Sequence, residues 1–338
     1  MNGAGVPYHL RPHKAVDRRL FLDLLSRFER WRPLANYVYI SMGAYPLEDH
    51  KLIHRLIGIA RLIAFDHNAG VVARQNFNRP IDSCKCIVAE AGDVIDKLDS
   101  ILADAKCADA DGVVFWLDYT DPKKLGHQIR EFQALLDRLR AGDIVRVTVN
   151  AHPTSISSPT KDGKPILAEE KRKDQFDKLS SRIRDFLPSW ADSDAMTKED
   201  LPKVLSHAFE NAALKALPVT GRLVFQPLSL VRYADGLQML SITGAVVERA
   251  EEAKMLGRMD VANWPFASSN WSMIHKLVVP HLTLRERMLL EKGIGSRTIG
   301  ELISELGFEL VDDVPLAEFL ENYKAYYRFY PTLLAAEV

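Results

Sequence analysis

"YVYISMGAYPLEDHKLIHRLIGIARLIAFD" (residues 37–66) decides the fold. Its opening "YVYISM" is β-branched, aromatic or apolar on both faces of a two-residue repeat, which suits a central parallel strand better than an edge. Gly43 marks the sharp exit from that strand. From Asp49 the run "DHKLIHRLIGI" sets Leu52, Ile53, Leu56 and Ile57 on one face of a helix, with Glu48 and Asp49 at the end where acids favour the dipole. "ARLIAFD" is then a second strand that stops on an acid, Asp66.

The cycle extends on both sides. Upstream, "AVDRRLFLDLLSRFERW" carries Val16, Leu20 and Leu24 at helical spacing, widened by Phe21, Leu25 and Phe28, and Pro33 closes that amphipathic helix. Downstream, "NAGVVARQNFN" reads as a short helix, "CKCIVAEAGD" as a strand, "VIDKLDSIL" as a helix and "DGVVFWLDY" as an apolar strand. "KKLGHQIREFQALLDRLR" and "DIVRVTVNA" supply one more helix and strand. Strands alternating with helices at this spacing imply right-handed crossovers and a parallel sheet covered on both faces. Ligands of such sheets lie beyond the carboxyl ends of the strands, and those ends carry Gly43, Asp66, Gly92-Asp93, Asp118 and Asn150.

After Asn150 the sequence becomes polar and rich in Pro and Ser, as expected of a mobile insertion, and regains helical pattern from about 174 to 215. "GRLVFQPLSLVRYADGLQMLSITGAVVE" holds two apolar strands joined at Asp235-Gly236, a hairpin signal. In the tail, Thr283 and Glu286 form a capping box, "TIGELISELGF" a helix, and the aromatics of "NYKAYYRFYP" dock a terminal helix. The organisation expected is a helical segment at 1–35, a Rossmann-like cofactor-binding core at 36–150, an insertion at 151–215, flexible then helical, a terminal hairpin at 216–250 and a helical extension at 251–338.

Composition narrows the function classes. In 338 residues, 44 Lys and Arg nearly cancel 45 Asp and Glu, so no global field recruits nucleic acid or an anionic membrane. Three cysteines, Cys84, Cys86 and Cys107, have neither disulfide-scaffold nor zinc spacing. The stretch "MNGAGVPYHLRPHK" lacks the long apolar run of a signal peptide, and no stretch approaches the apolar length of a membrane helix. The expectation is a soluble protein of the cytoplasm.

A Gly turn after the first strand and an acid after the second are what a nucleoside ligand needs. "SMGAYPLED" has one glycine, not the G-x-G-x-x-G of a pyrophosphate cradle, which disfavours a nicotinamide-dependent oxidoreductase. The pattern resembles the class I S-adenosylmethionine-dependent methyltransferases over residues 36–150 and 221–248. More loosely, "YHLRPHKAVDRRLF", "YISMGAYPLEDHKL", "RQNFNRP", "FWLDYTD" and "NYKAYYRFYP" resemble a bacterial group labelled "putative O-methyltransferase". The resemblance implies a seven-stranded sheet ending in an antiparallel hairpin, with S-adenosylmethionine as cofactor. It implies Ser41, Gly43, Asp49, Asp66, Asp93 and Asp118 as cofactor-binding residues. Gly43 would lie against the methionine and ribose part, Asp66 would hold the ribose, and Asp93 would lie near the adenine amine. Asp118 would lie by the sulfonium and the methyl acceptor, with Asn150 and His152 near the reaction.

Blander roles stand beside these. Asp66 and Asp93 could be helix caps, and Asp118 an Asx turn. Of the possible bases His13, His50, His54, His127 and His152, the last is best placed, although methyl transfer from a sulfonium can dispense with a base. Asp118 with Asp121 could ligate magnesium, but a turn explains them better, so no metal is expected. Arg11, Lys14, Lys171 and Arg172 could meet a phosphate-bearing or nucleic-acid ligand, or be solvated helix faces. Two functions follow: a methyltransferase acting on an oxygen or nitrogen acceptor, or a methyltransferase-like binding module with a weakened cofactor site.

Overall fold

The computed structural model describes residues 11–157, 160–161, 164–165, 167–312 and 314–330. In chain order, α1 (Pro12–Phe28), β1 (Tyr37–Ser41), α2 (Glu48–Ile57), β2 (Arg61–Asp66), α3 (Ala69–Asn78) and β3 (Lys85–Val88) come first. They are followed by α4 (Ala91–Asp96), α5 (Leu98–Asp104), β4 (Gly112–Asp118), α6 (Leu125–Leu136) and β5 (Ile144–Asn150). Next are a two-stranded ribbon, β6 (Thr160–Lys161) and β7 (Lys164–Pro165), and the helices α7 (Ala168–Ile183) and α8 (Leu201–Ala216). The hairpin β8 (Leu223–Asp235) and β9 (Leu237–Glu248), α9 (Glu252–Met259) and β10 (His275–Lys276) complete the sheet region. Helices α10 (Leu284–Gly293), α11 (Ile299–Leu306) and α12 (Leu316–Tyr326) end the chain.

The main sheet has eight strands in the order β3-β2-β1-β4-β5-β9-β8-β10. Strands β1 to β5 pair in parallel, and β9 runs antiparallel to β5. This matches the sheet that the resemblance implies, Rossmann-like and mostly parallel with a terminal antiparallel hairpin, plus one strand beyond the seven expected. The extra strand is only two residues long, too short for any periodicity to announce it.

By contacts the chain divides into two compact units. The larger comprises residues 22–232 and 237–275. One face of its sheet is apolar: Val38, Ile40, Ile63, Phe65, Val113, Phe115, Leu117, Val145, Val147 and Val149 are buried with side chains of α4, α5, α6 and α8. Phe132 on α6 meets Phe209 and Phe225 edge-on at 5.1 and 5.4 Å, knitting helix, helix and hairpin together. The stripe expected on α1 is buried along its whole length.

The smaller unit is described at residues 11–21, 233–236, 276–312 and 314–330. Both oxygens of Asp235 accept backbone N–H groups, of His13 at 3.2 Å and Lys14 at 2.8 Å. The His13 ring accepts at Nε2 from the Val279 N–H at 3.0 Å, which leaves Nδ1–H to donate to Asp235 at 2.9 Å. His13 is therefore a structural staple. The capping box of Thr283 and Glu286 is present, and Thr298 with Glu301 forms a second one. Tyr323, Tyr326 and Tyr330 are buried, Tyr326 donating to the Val278 carbonyl and Tyr330 to that of Pro280, so the aromatic run docks as expected.

Several local expectations change. Helix α2 buries Asp49, His50, Ile53 and Ile57, whereas Leu56 is 58% exposed. The first turn is polar and faces inward, so the apolar stripe does not by itself set the helix rotation. The helix expected at "VIDKLDSIL" is two, interrupted at Lys97, and α7 begins at Ala168 instead of about 174. Of the insertion expected to be mobile, residues 158–159, 162–163 and 166 lie outside the described residues. No helix among the described residues is long and apolar enough to cross a membrane.

Candidate functional site

The second face of the sheet is also buried, and it turns from apolar at Tyr39, Leu62, Val114 and Ile144 to polar toward the carboxyl ends of the parallel strands. Ser41 pairs with Ala64 on one side and Trp116 on the other, Trp116 with Arg146, and Arg146 with Thr243. Paired residues point to the same face. One step nearer the strand ends lie Asp118, Thr148 and Ser241, paired in that order. Trp116 Nε1 donates to Thr148 Oγ1 at 3.1 Å, which is 3.1 Å from Ser241 Oγ, and Arg146 Nη1 donates to Thr243 Oγ1 at 2.8 Å. The Arg146 guanidinium also lies 4.7 Å from the centre of the Trp116 ring.

Asp66 ends β2 and Asp118 ends β4, and Gly43 leaves β1 between them. With neighbouring strands ~4.8 Å apart, the two acids lie on the order of 10 Å apart across that turn. Asp66 Oδ1 accepts the Asn68 N–H at 2.8 Å, while its other oxygen accepts no hydrogen bond among the described residues. The cap of α3 is Asn68, which accepts from Gly70 and Val71, so the capping alternative for Asp66 does not hold. Asp121 accepts from the Lys123 N–H at 2.9 Å and caps a short 3-10 turn, as the turn reading required.

The Gly43 turn is tight and left-handed, with φ of +68° at Gly43, 42° at Ala44 and 53° at Leu47. A Cβ on Gly43 would lie 2.7 Å from Leu47 Cδ2 and 2.8 Å from His50 Cε1. Helix α3 holds the turn from the other side. Gln75 Nε2 donates to the carbonyls of Met42 and Ala44 at 2.8 and 3.2 Å, and Asn78 Nδ2 to that of Tyr45 at 3.0 Å. The Arg74 guanidinium lies 3.4 Å from the centre of the Tyr45 ring. These residues were not singled out from sequence, although Arg74, Gln75 and Asn78 occur at one-face helical spacing. Ser41 Oγ and Gln75 Oε1 are buried with no hydrogen-bond partner among the described residues. They are the polar atoms that a ligand at this turn could satisfy. Gly43→Ala is expected to destabilise the chain by about 1–3 kcal/mol through the left-handed backbone and the crowding, read as a lower urea midpoint.

His50 is a structural group. Its ring lies edge-on to Tyr39 at 4.9 Å, and Nε2 is 3.1 Å from the Ile63 carbonyl, which makes it the protonated nitrogen. Burial holds its pKa below the ordinary 6.5, against the Ile63 bond, which favours the cation. Because the unfolded chain then binds the extra proton, stability from this group is present above about pH 6.5 and is lost as pH falls below it, by at most ~1.4 kcal/mol per pH unit. Burial lowers His275 likewise, adding the same sign. Urea midpoints at pH 7.5 and 5.5 should show the drop, and His50→Gln should flatten it. An unchanged slope in the variant would contradict this assignment.

The remaining expected residues are placed as follows. Asp49 is buried in the first turn of α2. Asp93 is not at a strand end: β3 stops at Val88, and Asp93 lies in the first turn of α4, with its side chain 57% exposed and 3.4 Å from Lys97 Nζ. The alanines and glycine before it are small enough to open that helix early. Asn150 is buried at the end of β5, and its Oδ1 accepts the His152 N–H at 3.0 Å. His152 accepts at Nδ1 from both the N–H and the hydroxyl of Thr154, so its lone pair is spent on a turn and Nε2 carries the proton. Desolvation, then the charges of Lys198 and Lys171, hold its pKa below the ordinary histidine value. His54 bonds the Ile59 carbonyl, and His127 lies 3.1 Å from Glu131. Lys14 is buried, and Arg172 Nε is 3.8 Å from Asp194. Among the described residues no cluster of three or more His, Cys, Asp or Glu could hold a metal.

A family model described as "Putative O-methyltransferase" matches residues 6–338. No curated protein matches the sequence. Among solved structures, similarity is found to LepI in complex with SAM, at 13% identity over 63% of this chain and 43% of that one, with a TM-score of 0.33. An S-adenosylmethionine-dependent methyltransferase from Clostridium acetobutylicum ATCC 824 is similar at 9% identity over 72% and 94%, with a TM-score of 0.34. The plantazolicin methyltransferase BpumL in complex with SAH is similar at 10% identity over 68% and 84%, with a TM-score of 0.29. The chain spans less than half the length of LepI.

Proposed function

The chain belongs to the family described as "Putative O-methyltransferase", and from that premise we propose that it binds S-adenosylmethionine at the ends of β1, β2 and β4 and methylates an oxygen acceptor. The observation that carries the reading is the Gly43 turn set between Asp66 and Asp118, with buried polar atoms of Ser41 and Gln75 beside it.

In this proposal the backbone around Gly43, with Ser41, lies against the methionine part of the cofactor. Asp66 uses its uncommitted oxygen to hold the ribose hydroxyls, Asp93 reaches toward the adenine amine, and Asp49 stands behind the turn. When bound, the cofactor supplies an electrophilic methyl group on a sulfonium. Asp118 and Asn150 orient the acceptor, so that catalysis is chiefly positioning. His152, protonated at Nε2 and neutral, serves as a hydrogen-bond donor to the acceptor instead of a base. Lys171 and Lys198 make its surroundings positive, which favours an acceptor that carries negative charge.

The test is incubation with methyl-tritiated S-adenosylmethionine and panels of phenols, hydroxy acids, carboxylic acids and amines. Label on oxygen, with anionic acceptors preferred over neutral analogues, is expected. Label confined to amines would refute the oxygen acceptor, and no protein-dependent label with any acceptor would leave the binding-module reading in its place.

A further inference from the structure

At the far end of the sheet three side chains stand in the relation that activates a serine hydroxyl. Glu210 Oε2 is 2.6 Å from His207 Nδ1, and Ser272 Oγ is 2.8 Å from His207 Nε2. An ionised carboxylate only accepts, so Glu210 fixes the proton of the neutral ring on Nδ1. Nε2 is thereby left as the acceptor facing the Ser272 hydroxyl.

The fold builds this geometry from two directions. His207 and Glu210 are three apart on α8 and share a face. Ser206, next to His207, donates its hydroxyl to the carbonyl of Trp271, next to Ser272, so the serine loop is pinned to the helix beside the contact. Trp190 packs edge-on against the His207 ring at 5.5 Å and covers it on one side. Asn270 Oδ1 accepts the N–H groups of Ser272 and Met273 at 2.9 and 3.0 Å, which orients the amide. Among the described residues its Nδ2 has only a 3.5 Å contact with Ser269, which leaves it available to a further acceptor.

The constellation stands at the rim of a cavity of about 230 Å³ to which both Glu210 and Asn270 contribute. Its apolar wall includes Leu214, Leu217, Val224, Phe225 and Pro227. A Cβ on Gly244 would strike Phe225 and the Gln226 carbonyl, and Gly244 pairs with Val145, near the start of β5. The cavity is thus at the end of the sheet opposite Asn150, away from Asp66 and Asp118. A helix-surface His–Glu pair alone would require neither a hydroxyl on the second ring nitrogen nor an apolar cavity beside it.

We propose that Ser272, His207 and Glu210 form a second site that hydrolyses esters of short apolar acids. Ser272 Oγ attacks the ester carbonyl carbon, forming a C–O bond while its proton passes to His207 Nε2. The Asn270 amide donates to the oxyanion. Collapse breaks the bond to the leaving alcohol, which takes the proton from Nε2, and the acyl chain occupies the cavity. Water then attacks the acyl-serine, again giving its proton to His207, and the carboxylic acid leaves as Ser272 recovers its hydrogen. Glu210 holds the ring and balances the imidazolium.

The full chain should hydrolyse p-nitrophenyl butyrate above the buffer rate, and Ser272→Ala should lower that activity by about a hundredfold or more with an unchanged urea midpoint. Glu210→Gln should shift the pH–rate profile as well as lower the rate, which a packing role would not do. A fluorophosphonate probe on the wild-type chain should label Ser272, located by mass spectrometry without any variant. No hydrolysis of acetate, butyrate or octanoate esters, an unaffected Ser272→Ala rate, or labelling at another residue would overturn the proposal.

Discussion

Asp66→Ala is expected to weaken binding of S-adenosylmethionine by a factor of about 10–100 while leaving the fold intact. A carboxylate bonded to hydroxyls contributes roughly 1.5–3 kcal/mol, which is that factor in a dissociation constant. The fold should tolerate the change because Asn68 and not Asp66 caps α3, and among the described residues the only backbone bond forfeited is the one to the Asn68 N–H. Calorimetric titration of the variant beside wild type reads the first effect and urea unfolding the second. Equal affinity in both proteins would remove Asp66 from the ribose role, and a collapsed urea midpoint would make it a structural residue instead.

Gly126→Ala is expected to be the most damaging single methyl addition in the larger unit. A Cβ at Gly126 on α6 would lie 1.9 Å from the backbone carbonyl oxygen of Arg182 on α7, a contact that no rotamer change relieves. The helices cannot easily part. Arg182 donates to the carbonyls of Ile156 and Pro122 at 2.7 and 3.3 Å, and Gln128 on α6 donates to that of Asp121 at 2.8 Å. Overpacking against fixed backbone costs about 3 kcal/mol or more, read as a large fall in the urea midpoint. Gly257 on α9 is the control, since a Cβ there meets nothing within 4 Å. Gly257→Ala should leave stability unchanged or raise it by roughly 0.5–1 kcal/mol. Equal midpoints for the two variants would mean that α6 and α7 do not pack as described.

Strands β1, β2 and β4 were legible because each is largely apolar on both faces and bounded by a glycine or an acid, so "YVYISM", "ARLIAFD" and "DGVVFWLDY" admitted few readings. The hairpin was legible for the same reason, through Asp235-Gly236. Periodicity failed where polar residues face inward: Asp49 and His50 rotate α2 away from the face that its leucines suggest. Arg146, Thr148 and Asn150 alternate visibly in "IVRVTVN", yet alternation alone does not say that the polar face is buried. The turn holders Gln75 and Asn78 act through backbone carbonyls 31 to 33 residues away, a pairing with no local signature. His207 and Ser272 are likewise 65 residues apart and meet only through the packing of α8.

The Gly43 turn, between Asp66 and Asp118, is the site proposed for the adenosyl cofactor. Its most direct test is calorimetric titration of the wild-type chain with S-adenosylmethionine and S-adenosylhomocysteine, with NAD as control. Saturable binding of both adenosyl ligands at one site per chain, with none for NAD, is the predicted result. A folded chain that binds neither adenosyl ligand, or binds NAD instead, would contradict the account.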